Sequence, residues 1–178
     1  MKIAQLATLC ILSIFSIMST TACAQPYVIS TNGAEVTDQK TGLIWRRCIE
    51  GMSWNGTACI NSTTVCTNTS AVTPATFTHP EALQCAALAS SFGTPWRLPN
   101  IKELNSIADK TVPSIRIDAT IFSNTPLPNF WSASPNARDT TFAWAYRFNN
   151  QDLGIFTFGE GALIFNRSAS LYVRLVRD

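Results

Sequence analysis

The chain has 178 residues, 46% of them hydrophobic and only 13% charged, with 13 basic and 11 acidic side chains and a formal net charge of +2. That length is one domain's worth, and the balance excludes both a basic nucleic-acid footprint and a highly charged disordered chain. Five tryptophans and ten phenylalanines predict a compact core rich in aromatics.

Residues 1–24 read as an export signal. Lys2 precedes an apolar run through Leu6, Ile11, Leu12, Ile14, Phe15, Ile17 and Met18, which is too short for a membrane span. Ala22-Cys23-Ala24 supplies small residues for cleavage before Gln25, and lipidation at Cys23 is the alternative. Only lipidation would attach the chain to a membrane. Removing the segment takes away one charge, Lys2, and leaves the chain close to neutral. Residues 25–32 then form a short leader to a domain spanning 33–178, expected in the periplasm, at the cell surface or outside the cell.

Beyond the signal, with Cys10 and Cys23, four cysteines remain: Cys48, Cys59, Cys66 and Cys85. An even number in an exported chain predicts two disulfides, for which three pairings exist. We favour Cys48–Cys59, closing a turn through Trp54-Asn55-Gly56, and Cys66–Cys85, tying a polar loop to a helix. Zinc is disfavoured because no C-x-x-C spacing occurs and His79 is the one histidine. No metal or cofactor is predicted.

In chain order, Ala34–Thr37 and Leu43–Trp45 read as the arms of a β-hairpin, with Gly42 suited to positive φ at the turn's end. Arg46 and Arg47 are expected to extend the second strand outward. Residues 49–77 carry Ser, Thr, Asn and Gly without periodicity and read as a structured loop held by the cysteines. Its sequons at Asn55, Asn61 and Asn68 are discounted because the signal looks bacterial.

Thr78-His79-Pro80-Glu81 has a cap, a first-turn proline and a capping-box Glu, so a helix is predicted to run to about Gly93. His79 is expected to be solvated or a neighbour of the cap. Trp96-Arg97-Leu98-Pro99-Asn100 forms a rigid corner. Pro99 keeps Leu98 extended, Asn100 caps a second helix with Glu103 reaching back, and that helix is expected to end near Asp109-Lys110. Trp96 and Leu98 should enter the core while Arg97 finds partners beside them.

Residues 111–129 read as a long excursion packed by Ile115, Ile117, Ile121 and Phe122. Strands follow at Phe130–Ser134, Phe142–Phe148, Leu153–Phe158 and Leu163–Phe165. The last is Leu171–Val176, where Leu171, Val173 and Leu175 oppose Tyr172, Arg174 and Val176. Phe156 and Phe158 fall on one face of their strand, opposite Ile155 and Thr157, and one of the two faces is expected in the core.

Several ordered blocks together resemble a known family: Val36-Thr37-Asp38, Thr41-Gly42-Leu43-Ile44-Trp45, Glu81-Ala82-Leu83, Trp96-Arg97-Leu98-Pro99 with Lys102-Glu103-Leu104, Phe130-Trp131-Ser132-Ala133-Ser134, Ala143-Trp144 and Tyr172-Val173-Arg174-Leu175-Val176-Arg177. The family is the bacterial one typified by the C-terminal domain of the Legionella collagen-like adhesin. The resemblance implies an α+β, C-type-lectin-like fold, in which two helices flank small antiparallel sheets, first and last strands pair, and a long-loop region sits at one end. Trp45, Trp96, Trp131 and Trp144 would then be core residues, with Arg97 buried or half-buried and hydrogen-bonded. It also implies a surface or secreted binding module, because the named member binds glycosaminoglycans.

For an anionic sugar, forked guanidiniums are the apt contacts. Arg138, Arg147 and Arg167, near Asn136, Asn149, Asn150 and Asn166, are the candidates, with Trp144 or Tyr146 stacking on a ring. The near-neutral charge argues against a heparin-type patch. The Glu-Pro-Asn, Gln-Pro-Asp and Trp-Asn-Asp motifs of calcium-dependent lectins are absent from the sequence. No cysteine follows Cys85, as oxidases of a related fold would need, and Glu103, Asp109, Asp139, Asp152 and Glu160 are too dispersed to single out a glycosidase pair. The expectation is a non-enzymatic module for a glycan or surface protein, with a subunit of an envelope or pilus assembly as the alternative.

Overall fold

The computed structural model describes residues 26–62, 75–109, 117–126, 129–148 and 161–178. Its architecture is α+β. A four-stranded antiparallel sheet has the order β1-β2-β3-β9, built from β1 (Tyr27–Ile29), β2 (Glu35–Asp38), β3 (Ile44–Arg46) and β9 (Val176–Arg177). A hairpin of β4 (Met52–Trp54) and β5 (Cys59–Asn61) stands beside it, and a second sheet runs β6-β7-β8 through Asn129–Pro135, Phe142–Arg147 and Ala162–Asn166. The two helices are α1 (His79–Ser90) and α2 (Ile101–Ser106).

The predicted hairpin is β2–β3, in register Val36↔Trp45, with Gly42 at φ 77°. The last strand joins the sheet of the first hairpin, Val176 on β9 pairing Trp45 on β3, while the first strand β1 lies at the opposite edge rather than beside it. The leader is more ordered than predicted, since its residues 27–29 form β1 against β2. Residues 52–61 are likewise a hairpin, whose turn Asn55 holds through side-chain bonds to the Thr57 and Ala58 amides.

Both faces of the β6-β7-β8 sheet are buried. Period-two alternation sends Trp131, Ala143 and Ala145 to one core cluster, and Phe130, Tyr146 and Phe148 to the other. The final segment obeys the same rule: Leu171, Val173 and Leu175 join the first cluster, Tyr172 and Val176 the second. The strand there is shorter than expected, because Leu171 and Tyr172 make single bridges to Phe77 and Phe130 before β9 begins. Helix α1 supports the first cluster with Ala82, Ala86 and Ala89, whose small side chains let it approach closely. Helix α2 supports the second with Leu104.

Both capping boxes form. The Glu81 carboxylate accepts from the Thr78 amide and Glu103 from the Asn100 amide, each at 2.7 Å. Helix α2 stops at Ser106 rather than near Asp109, because Ile107 leaves helical geometry and Ala108 turns to bridge Ile117. The Trp-Arg-Leu-Pro corner ties this helix to the chain's end. Arg97 exchanges main-chain bonds with Val176, its guanidinium forks onto Glu103 at 2.8 Å, and it reaches Asp178 at 2.7 Å. These partners hold the Arg97 guanidinium above its ordinary value.

Cys48–Cys59 is a disulfide, as favoured. Cys85 is also disulfide-bonded, and Cys66, its expected partner, lies outside the described residues. So do Asn68, Ile115, Asn149, Asn150 and the expected strand Leu153–Phe158. No helix of the described residues is long and apolar enough to cross a membrane.

Candidate functional site

The sequence-predicted binding residues divide between two ends of the β6-β7-β8 sheet. Arg138 is exposed on the β6–β7 turn, and Arg167 lies near it because its amide bonds the Thr141 carbonyl at 2.9 Å. Arg147 closes the far end of β7, where its Nε donates to Asn129 Oδ1 at 2.8 Å. A six-residue strand separates the two ends by roughly 17 Å. Trp144 is half-buried on β7. Tyr146 is buried, its hydroxyl bonds Asn105 Oδ1 at 2.9 Å, and no ring face remains for a ligand.

His79 sits beside the cap Thr78, one of the two placements expected of it, but it is not solvated. It is 1% exposed, lies edge-on to Trp131 at 5.0 Å between ring centres, and its Nε2 is 3.0 Å from the Ser132 carbonyl. A carbonyl only accepts, so Nε2 carries a proton. Burial pushes its pKa below the ordinary value, and nearby Arg167 adds to this. The histidine is thus a packing residue of the core.

Arg47 also departs from expectation. It turns inward, 5% exposed, and donates to the carbonyls of Ile121 (2.7 Å), Gly33 (2.8 Å) and Thr120 (3.1 Å). Its guanidinium covers one face of Trp54 at 4.0 Å. Gly33 lets Trp54 sit there: at its φ of 72° a Cβ would lie 2.4 Å from the indole Nε1.

Trp54 in turn lines a groove of about 320 Å³ with Glu35, Arg46, Met52, Ser53 and Trp96. Strand register places Glu35 directly opposite Arg46. Glu35 pairs with Arg177 at 2.8 Å and Arg46 with Glu50 at 2.7 Å, while both arginines lie over the Trp96 ring, at 5.4 and 4.8 Å. Glu50 is buried, and desolvation raises its pKa against the pull of Arg46. The groove therefore presents an indole, a fork-shaped cation and a carboxylate, each held by neighbours, together with the exposed Ser53 hydroxyl. That combination suits a ligand with both an apolar face and several polar groups. Sequence reading missed it because its members come from four separate segments. The one local signal was the pair Arg46-Arg47, since strand geometry must send two adjacent arginines to opposite faces.

A second cleft of about 290 Å³ holds Tyr27, Asp38, Asp109 and Asp118. Burial and the three carboxylates push the Tyr27 hydroxyl up to about 12. Asp38 caps its own turn through the Lys40 amide and Thr41 hydroxyl, and Asp118 does so through Thr120. Among the described residues, no group of His, Cys, Asp and Glu is placed to hold a metal ion.

Comparison with known proteins adds one positive finding. No curated protein and no solved structure matches the chain. The family model described as the Lcl C-terminal domain matches residues 34–177, nearly all of the structure above, and the chain belongs to that family.

Proposed function

We propose that this chain is an exported, non-enzymatic binding module of C-type-lectin-like architecture, whose ligand is a glycan bearing acidic groups. The observation that carries the reading is the Trp54 groove. An indole next to Arg46 and Glu35 offers a sugar its apolar stacking surface, a forked donor for a carboxylate or sulfate, and an acceptor for hydroxyls. Membership of the Lcl C-terminal domain family supports an adhesion role. The disulfide supports export, because such bonds persist in oxidising compartments. The last strand joining the sheet of the first hairpin, and two helices on opposite faces of a sheet, support the lectin-like reading. The sole histidine is consumed by packing, which supports a non-enzymatic role.

The test is a glycan array of sulfated and uronic-acid sugars, probed with residues 25–178 at two salt concentrations, with and without chelator. The reading expects binding that weakens with salt, ignores chelator and is lost in Trp54→Ala. Loss in Arg138→Ala or Arg147→Ala instead would move the site to the β6-β7-β8 sheet ends. A blank array overturns the glycan reading for the sugars tested. The second reading, a protein partner on an envelope or pilus assembly, is favoured by Phe92, which stands 72% exposed beyond α1.

A further inference from the structure

Glu35 and Arg46 stand opposite one another on β2 and β3, yet they do not bond to each other. The Arg46 amide donates to the Leu175 carbonyl and the Glu35 carbonyl accepts from the Ser30 amide, so neither spends its main chain on the other. They therefore hold the close, non-hydrogen-bonded position of the ladder, with Cβ atoms about 5 Å apart. Opposite charges so placed ordinarily pair across the strands. Here each head turns elsewhere, Glu35 Oε2 to Arg177 Nη2 at 2.8 Å and Arg46 Nη1 to Glu50 Oε1 at 2.7 Å.

Those pairs leave bonding capacity in the groove that both residues line. Glu35 keeps Oε1 as an acceptor, and Arg46 keeps Nε and Nη2 as donors. The two side chains are 29% and 30% exposed. The charges around the groove also balance: Arg46 and Arg177 stand against Glu35 and Glu50. A ligand of one sign is attracted by one of the opposed heads and repelled by the other, so complementarity favours a ligand that is itself balanced. A volume of about 320 Å³ is at the small end for a ligand site, which requires the ligand's two charges to lie close together.

We infer that the groove selects a zwitterionic sugar, in which an unsubstituted, protonated amine lies beside a carboxylate or sulfate on the same or the adjoining ring. The inference rests on the acidic-glycan reading above and narrows it. The amine donates to Glu35 Oε1, the acid group accepts from Arg46, and the ring between them lies against Trp54. An N-acetylated amine is rejected, because it brings no charge to Glu35 and adds bulk in a small groove.

Two polymers test this: one of alternating glucuronic acid and N-acetylglucosamine, and the same polymer after removal of its acetyl groups. Calorimetry is run at about pH 6, where a sugar amine is charged. The protein should bind the deacetylated polymer at least about tenfold more tightly, the worth of one close charge pair. Glu35→Gln should abolish that preference and leave binding of the acetylated polymer intact or improved. Gln keeps an oxygen for Arg177 at a part-exposed position, and binding of the acetylated polymer reports that the variant is folded. Equal affinity for the two polymers, or preference for the acetylated one, overturns this inference alone and leaves the acidic-glycan reading standing. A preference that survives in Glu35→Gln overturns it as well. Binding of neither polymer overturns both.

Discussion

The guanidinium of Arg174 donates to the main-chain carbonyl of Arg47, whose own guanidinium donates to Ile121. One arginine of the last segment thereby fixes the corner from which another reaches the 117–126 loop. Arg174 is fully buried, also bonds the Arg46 carbonyl at 2.8 Å and Thr125 Oγ1 at 2.7 Å, and lies over the Phe122 ring at 4.8 Å. Burial lowers its pKa to about 9, with Glu50 pulling the other way, so it stays cationic at neutral pH.

Arg174→Met should keep the bulk and strand the carbonyls of Arg46 and Arg47. Leaving those buried acceptors unpaired, and Glu50 with Arg46 but without the second nearby cation, costs on the order of 3 kcal/mol. Urea denaturation of wild type and variant measures this, and a loss well under about 1 kcal/mol would contradict the structural role.

The Cys48–Cys59 bridge spans a sequence separation of 11. Loop-closure entropy for such a loop is worth about 3 kcal/mol, so the Cys48→Ala/Cys59→Ala pair should lose a comparable amount. It should also loosen the β4–β5 hairpin that presents Trp54. Ligand binding by the folded double variant reports the second effect and urea midpoints the first.

Asn100 accepts from the amides of Lys102 and Glu103, and Asn100→Ala should cost about 1 kcal/mol. Glu103→Ala should cost more than Asn100→Ala, because it removes the reciprocal cap and the fork to Arg97 together. The order of the two thermal midpoints checks the claim; the reverse order counts against it.

Acid stability should carry the signature of His79. Its folded pKa lies below the unfolded value of about 6.5, so between the two values the unfolded chain binds more protons. Stability from this group is full above pH about 6.5 and declines as pH falls through that value. Buried Glu50, with a raised folded pKa, acts in the opposite sense, since its protonation in the fold adds stability as pH falls. The difference between wild type and His79→Gln isolates the histidine. Their melting temperatures should converge on acidification, whereas parallel curves would contradict a neutral buried imidazole.

Much of the fold was legible because its determinants are local. Thr78 with Glu81, Asn100 with Glu103, and Gly42 each act within a few residues, and alternation along Leu171–Val176 separates two cores without knowledge of either. The site was less legible because burial is not local. Nothing beside Arg47 in sequence announces carbonyls 73 and 74 residues away, and nothing beside His79 announces Ser132. The short α2 reflects the same limit: the Ala108–Ile117 bridge overrides helical spacing in Ile107 and Ala108. Arg138 and Arg147 resembled one cluster only until the strand between them was given its length.

Titration calorimetry of residues 25–178 with an acidic glycan found on the array tests the central claim most directly, with Trp54→Ala as the comparison. The account predicts saturable binding by wild type, and at least about tenfold weaker binding by a variant whose near-ultraviolet spectrum shows an intact core; that ratio is about 1.4 kcal/mol. Equal affinity in the two proteins would contradict the placement of the ligand in the Trp54 groove.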